Sequence, residues 1–209
     1  MNDNGADHEG TAAALLSAGR DLFAQHGFDG ASVRAITAKA DANLGAITYH
    51  FGSKSALYEA VLRSVMVPLR QRIAAAASEP GKSLQRVEAM VRALFDYLYE
   101  NPDGPQLMMQ QLVSTRPLPE PVLQTMQANV NELAVVIAEG QADGSIRAGD
   151  PQLMALSIGA QPIWLALARR ALQAGIAVDQ DRPETREQLV ESVVRFVRAG
   201  LAVYPETRE

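Results

Sequence analysis

Asn43, Gly45, Ala46, Thr48, Tyr49, His50 and Lys54 fall within twelve positions and share one kind of chemistry. The amide, hydroxyls and imidazole can hydrogen-bond phosphate oxygens or base edges, and the ammonium can neutralise a phosphate. Gly45 and Ala46 carry little or no side chain, which leaves room for close approach along a groove. That combination suits recognition of a nucleic-acid duplex.

To face one way, these groups need a helix beneath them. The run from Ser32 to Lys54, SVRAITAKADANLGAITYHFGSK, reads as two short helices joined by a tight turn and followed by the start of a third, the grammar of a helix-turn-helix. Val33, Ile36, Thr37 and Ala40 recur at helical spacing in the first helix, with Ser32 as its N-cap. Asp41, Ala42 and Asn43 form the turn, and Asn43 is expected to cap the second helix. Leu44, Ile47 and Phe51 then make a buried stripe, leaving the recognition residues outward. Gly52 and Ser53 stop that helix and cap the next, which sets Lys54 beside free amides where a phosphate would sit. A helix pair with a polar turn also occurs in proteins that never touch DNA, and the run Tyr49-His50-Phe51 leading to Lys54 favours the DNA reading.

The segment resembles the TetR (tetracycline-repressor-type) transcriptional regulators. The resemblance covers residues 11 to 60. It rests on Leu22, Phe23, Gly27 and Phe28, on Ser32, Val33, Ile36 and Ala40, and on Gly45, Tyr49, His50, Phe51, Lys54, Leu57 and Tyr58. It implies that Gly45 and Ala46 face the bases, that Thr48, Tyr49, His50 and Lys54 contact phosphates or base edges, and that Ser32 adds a phosphate contact. Leu44 departs from the family pattern, where a polar or basic residue is common, and Thr48 stands where an aromatic is frequent. The resemblance further implies a ligand-responsive regulator, a repressor released from a palindromic operator by a small, largely apolar molecule. It also implies a homodimer formed through the last two long helices. The alternative is a helical protein-binding or scaffold module without DNA binding.

Charge and composition bound these readings. The formal charge of -5 is unfavourable for a nucleic-acid binder, but residues 32 to 63 carry a local charge of +2. Few phosphate contacts per subunit are therefore expected, with a dimer needed to accumulate them. There is no cysteine, and His8, His26 and His50 are the only histidines and lack metal-ligand spacing. No glycine-rich loop follows a strand, so an enzyme, a resident metal and a cofactor are all unexpected. No run of about 18 apolar residues is present, and the polar start MNDNGADHEG is unlike a signal peptide, which points to the cytoplasm.

The rest of the chain reads as all-α, with about nine helices in total. The expected divisions are a flexible acidic tail at 1–10, a helix-turn-helix domain at 11–60 and a helical effector-binding and dimerisation domain at 61–209. A first helix from Thr11 to His26 stops at Gly27. The helix that starts at Ser53 continues to Ala77 with Pro68 inside it, and a kink is expected there. Further helices span Ser83–Tyr99, Gln106–Ser114, Val122–Ala142, Pro151–Ala174 and Pro183–Ala202. Tyr97, Met108, Gln111, Met126, Gln161 and Trp164 are candidates to line an apolar pocket with a few neutral polar groups. Methionines at helical spacing also serve as core filler, and Pro162 would leave the carbonyl of Ile158 without its helical donor.

Overall fold

Side chains satisfy the first free amides of several helices. The Ser32 hydroxyl oxygen accepts from the Ala35 amide at 3.0 Å, Ser53 does the same for Ala56 at 3.1 Å, and the Asp150 carboxylate accepts from Gln152 at 2.8 Å and Leu153 at 3.2 Å. In the computed structural model, which describes residues 3–203 and side chains from residue 8, all regular structure is helical. The helices are α1 Asp3–Gly30, α2 Val33–Lys39, α3 Ala46–Phe51, α4 Lys54–Ala77, α5 Ser83–Glu100, α6 Gly104–Val113, α7 Glu120–Ala142, α8 Pro151–Leu167, α9 Arg169–Ile176 and α10 Pro183–Leu201.

Three features differ from the sequence reading. Residues from Asp3 onward, expected as tail, belong to α1, while Met1 and Asn2 lie outside the described residues. Gly27 takes φ 67 and ψ 180, which interrupts α1 locally, and helix resumes as far as Gly30. The helix expected at 151–174 is two, because the Gln180 side-chain amide donates to the Leu165 carbonyl at 3.0 Å. In a continuous helix that carbonyl would accept from Arg169, so the chain turns at Ala168 and α9 starts afresh.

The chain forms two compact units. One holds the residues up to Val67 together with Asp103–Leu123, and the other holds Pro68–Pro102 and the residues from Gln124 onward. In the first unit α6 packs against α1. Arg20 on α1 donates to the Asp103 carboxylate through both Nε and Nη2, the latter at 2.8 Å. The Tyr58 hydroxyl donates to Gln111 Oε1 at 2.8 Å, inside the core. The Gln110 side chain packs close to the Gly27 backbone as well, for a Cβ at Gly27 would lie 3.1 Å from Gln110 Oε1. The unit therefore takes in α6, which the sequence reading had grouped with the segment after residue 60. Leu15, Phe23, Ile36, Ile47, Leu57, Val61, Leu62 and Leu107 fill its core. Each such side chain contributes about 1.5–3 kcal/mol by leaving water.

In the second unit Val87, Met90 and Phe95 of α5 meet Val136 and Ile137 of α7, Met154 and Ile158 of α8, and Val193, Val194, Val197 and Leu201 of α10. Met90 and Met154 are thus core filler. The largely buried Glu88 carboxylate receives both arms of Arg198 at 2.6 Å, which joins α5 to α10 and compensates a charge that would be costly alone. A second pair, Arg92 with Glu191, ties the same helices and holds the Glu191 carboxyl below its usual range. No helix of the described residues is long and apolar enough to cross a membrane.

Candidate nucleic-acid interface

The turn between α2 and α3 sets what α3 can present. Ala40 closes α2, and Asp41 adopts the left-handed region at φ 50, a conformation that asparagine and aspartate tolerate better than most. The Ala42 amide donates back to the Thr37 carbonyl at 2.9 Å. Asn43 does not cap α3 with its side chain. Its backbone carbonyl accepts from the Ala46 amide at 3.0 Å, and α3 begins at Ala46 with Gly45 in the cap position. Leu44 consequently lies in the turn and is 63% exposed, contrary to the expected buried stripe. Ala46 and Ile47 are the buried residues of α3, so Ala46 turns toward the core rather than fully outward. Phe51 is half-buried.

Thr48 and Tyr49 are exposed and His50 is half-buried, while Tyr49 at 72% is among the most exposed large side chains of the described chain. An open depression of about 520 Å³ is lined by Asn43, Gly45, Ala46, Tyr49 and His50, joined by His8 and Thr11 from α1. Five of the expected recognition residues thus share one concavity. Ser32, Thr48 and Lys54 do not line it. Ser32 is exposed, and because its oxygen accepts the Ala35 amide, its hydroxyl proton is left to donate elsewhere.

Lys54 opens α4 just after Gly52, whose φ of 82 ends α3 in a conformation that favours glycine. Its ammonium lies 4.2 Å from the centroid of the Phe28 ring, and the Arg116 guanidinium lies 3.8 Å from the same centroid. Burial pushes the Lys54 ammonium below the usual lysine range, Asp29 opposes that shift, and Arg116 adds to it. An arriving phosphate would favour the charged form. Sequence reasoning missed Arg116 and His8. Arg116 lies in a proline-flanked loop without periodicity, and His8 precedes the apolar pattern that defines α1.

Comparison with known proteins fits this geometry. Residues 15–61 match the family described as bacterial regulatory proteins, tetR family. Residues 84–197, more than half of the chain, match the tetracyclin repressor-like C-terminal domain. The chain belongs to the TetR family. It is a DNA-binding transcriptional regulator of the helix-turn-helix type and not an enzyme. It is 26% identical over 197 residues to the transcriptional activator FasR of Mycolicibacterium smegmatis, covering 93% of this chain and 84% of that one. It is 26% identical over 193 residues to the transcriptional regulator RutR of Escherichia coli, covering 90% and 89%. The structure of AibR in complex with isovaleryl coenzyme A and operator DNA shares the fold, with a TM-score of 0.70 at 17% identity over 89% of this chain and 97% of that one.

The six residues expected to line a pocket in this TetR-family chain are divided between the two units. Met108 and Gln111 belong to the first, and Tyr97, Met126, Gln161 and Trp164 to the second. Gln111 is committed locally, since it accepts from Tyr58 and donates to the Arg116 carbonyl at 3.2 Å. Trp164 is 58% exposed and so is not enclosed as a pocket wall. Tyr97 is buried with the Arg72 guanidinium 5.5 Å from its ring, and Met126 and Gln161 are half-buried.

Proposed function

We propose that this regulator binds an inverted-repeat operator as a homodimer, represses from it, and leaves it when a small, largely apolar molecule occupies the second unit. The observation that carries the reading is the row of exposed Thr48 and Tyr49 and half-buried His50 beside the open Gly45. Small and hydrogen-bonding groups of this kind suit a helix laid into the major groove, with Ser32, Asn43 and Lys54 as flanking contacts and Ala46 permitting close approach.

Apolar surface on the last long helices supports the dimer. Leu153, Leu156, Ile163 and Trp164 on α8 and Phe196 on α10 are exposed, and Gly159 and Gly200 have open space above them. Two such helices from each copy would make a four-helix interface. The second unit also offers support for an effector. The Tyr99 hydroxyl on α5 and Asn129 Oδ1 on α7 are closed to solvent and have no hydrogen-bond partner. A mostly apolar molecule with one or two polar groups would satisfy them, with Tyr97 and Met126 on the same helices as lining candidates. AibR, with the same fold, holds isovaleryl coenzyme A and operator DNA together. The reading carries a cytoplasmic location.

The test begins with selection of duplexes from a randomised pool by the purified full chain, followed by titration against the full repeat and a single half-site. Two chains per inverted repeat support the proposal, and equal binding of a lone half-site by a monomer contradicts it. FasR is named an activator, which favours activation as a second reading. Transcription in vitro from a promoter carrying the selected repeat separates the two signs.

A further inference from the structure

His8 lies near the start of α1, forty-one positions from Tyr49, yet its Nε2 is 2.6 Å from the Tyr49 hydroxyl oxygen. Its ring stands 4.8 Å from that of Tyr49 and meets His50 edge-on at 4.6 Å, while Tyr49 and His50 are themselves 5.1 Å apart. Three rings therefore form one cluster at the depression that also takes in Asn43 and Gly45. Tyr49 is otherwise largely open to solvent, so this cluster is what limits its side chain.

A phenol has a single proton to give. If Tyr49 gives it to an imidazole nitrogen, the hydroxyl can only accept, and a phosphate oxygen, itself an acceptor, finds no partner there. If the imidazole N–H donates to the tyrosine oxygen instead, the phenolic proton remains for a phosphate. The state of the His8 nitrogen thus decides what Tyr49 can do. We propose that His8 is a positioning residue of the reader: it donates to the Tyr49 hydroxyl and holds it as a phosphate donor, which makes the start of α1 part of the DNA-binding machinery. The inference rests on the DNA reading given under Proposed function and names a member of that site that acts through another residue.

The test uses the full chain and the duplex recovered by selection with the wild-type protein. His8→Ala should weaken binding about fivefold per protomer, the usual scale for loss of one hydrogen bond, and so about 25-fold for the dimer, and Tyr49→Phe should weaken it similarly. The double variant should be no weaker than Tyr49→Phe alone, because the two residues act as one unit. The slope of affinity against salt should stay at its wild-type value in His8→Ala, since no phosphate contact of His8 itself is lost. His8→Gln, whose amide can donate to the same oxygen, should recover most of the affinity, and thermal midpoints should not move. Additive losses, a reduced salt slope, wild-type affinity in His8→Ala, or failure of glutamine to rescue would each overturn the proposal. Failure of the wild-type protein to select any duplex would overturn the DNA reading itself, and is seen before any variant is made.

Discussion

Replacing Lys54 with methionine separates its two contacts, because the variant keeps an unbranched stem over Phe28 and loses only the charge. If the ammonium neutralises one phosphate per protomer, a dimer loses two contacts. The slope of log affinity against log salt should then become shallower by about 2, at roughly 0.9 per contact. With wild type and variant converging near 1 M salt, the variant would bind about 30-fold more weakly at 0.15 M and about 200-fold more weakly at 0.05 M. The contact with Phe28, 4.2 Å from ammonium to centroid, is a competing explanation for any loss. Cation–π contacts at partly exposed sites are worth about 0.5–1 kcal/mol, which is about two- to fivefold and only weakly dependent on salt. Fluorescence anisotropy titrations at four or five salt concentrations therefore distinguish the roles. A parallel displacement of a few fold, with the wild-type slope, would remove Lys54 from the phosphate contacts and leave it as a packing residue.

Gly45→Leu should leave stability within about 0.5 kcal/mol, because Gly45 has φ -81 and its nearest neighbour to a new Cβ is Asn43 at 3.5 Å, yet it should abolish close approach to the operator. Operator titration beside a thermal melt checks this, and unchanged affinity would place the groove elsewhere. Pro68→Ala should restore the amide that the Ser64 carbonyl lacks within α4 and stiffen the helix, so ligand affinity should hold while the ligand's effect on DNA binding shrinks. A full ligand response in that variant would refute Pro68 as a hinge. Asp143 accepts from the Ser145 amide and from Ser83, and Ser145 chiefly holds its carboxyl below the ordinary value of 3.8. Folded Asp143 therefore binds a proton less readily than unfolded Asp143, and its contribution, present at neutral pH, is lost as pH falls below about 4 through the lowered value. Denaturation across pH 2 to 6 should show a flatter acid limb for Asp143→Asn, and superimposable slopes would refute the assignment.

Local signals wrote much of this fold into the sequence. Ser32, Ser53 and Asp150 mark helix starts through bonds to amides two or three residues on, so both partners lie within one short window. The outward set on α3 was legible because Thr48, Tyr49 and His50 are consecutive polar types after the apolar Ile47. Its register was not, because Asn43 satisfies Ala46 with a backbone carbonyl where a side-chain cap was expected, and that choice moves Leu44 out of the helix. The break between α8 and α9 depends on Gln180, fifteen residues beyond the carbonyl it occupies. His8 meets Tyr49 and Asp103 meets Arg20 only after the chain has folded back, and periodicity in a window cannot register such pairs.

The reader is discontinuous along the chain, and this bears on how it can be made and moved. During synthesis residues 1–67 emerge first, but Asp103, Gln111 and Arg116, which engage Arg20, Tyr58 and Phe28, follow only after α5 has been translated. The N-terminal segment therefore emerges before the partner of Tyr58 is made, and a fragment ending at Val67 would never receive its last helix. A transplant of DNA specificity between relatives that cuts near residue 60 would mate one protein's α1 with another's α6. Chimeras that carry residues 103–123 along with the first 67 would keep the native pairings.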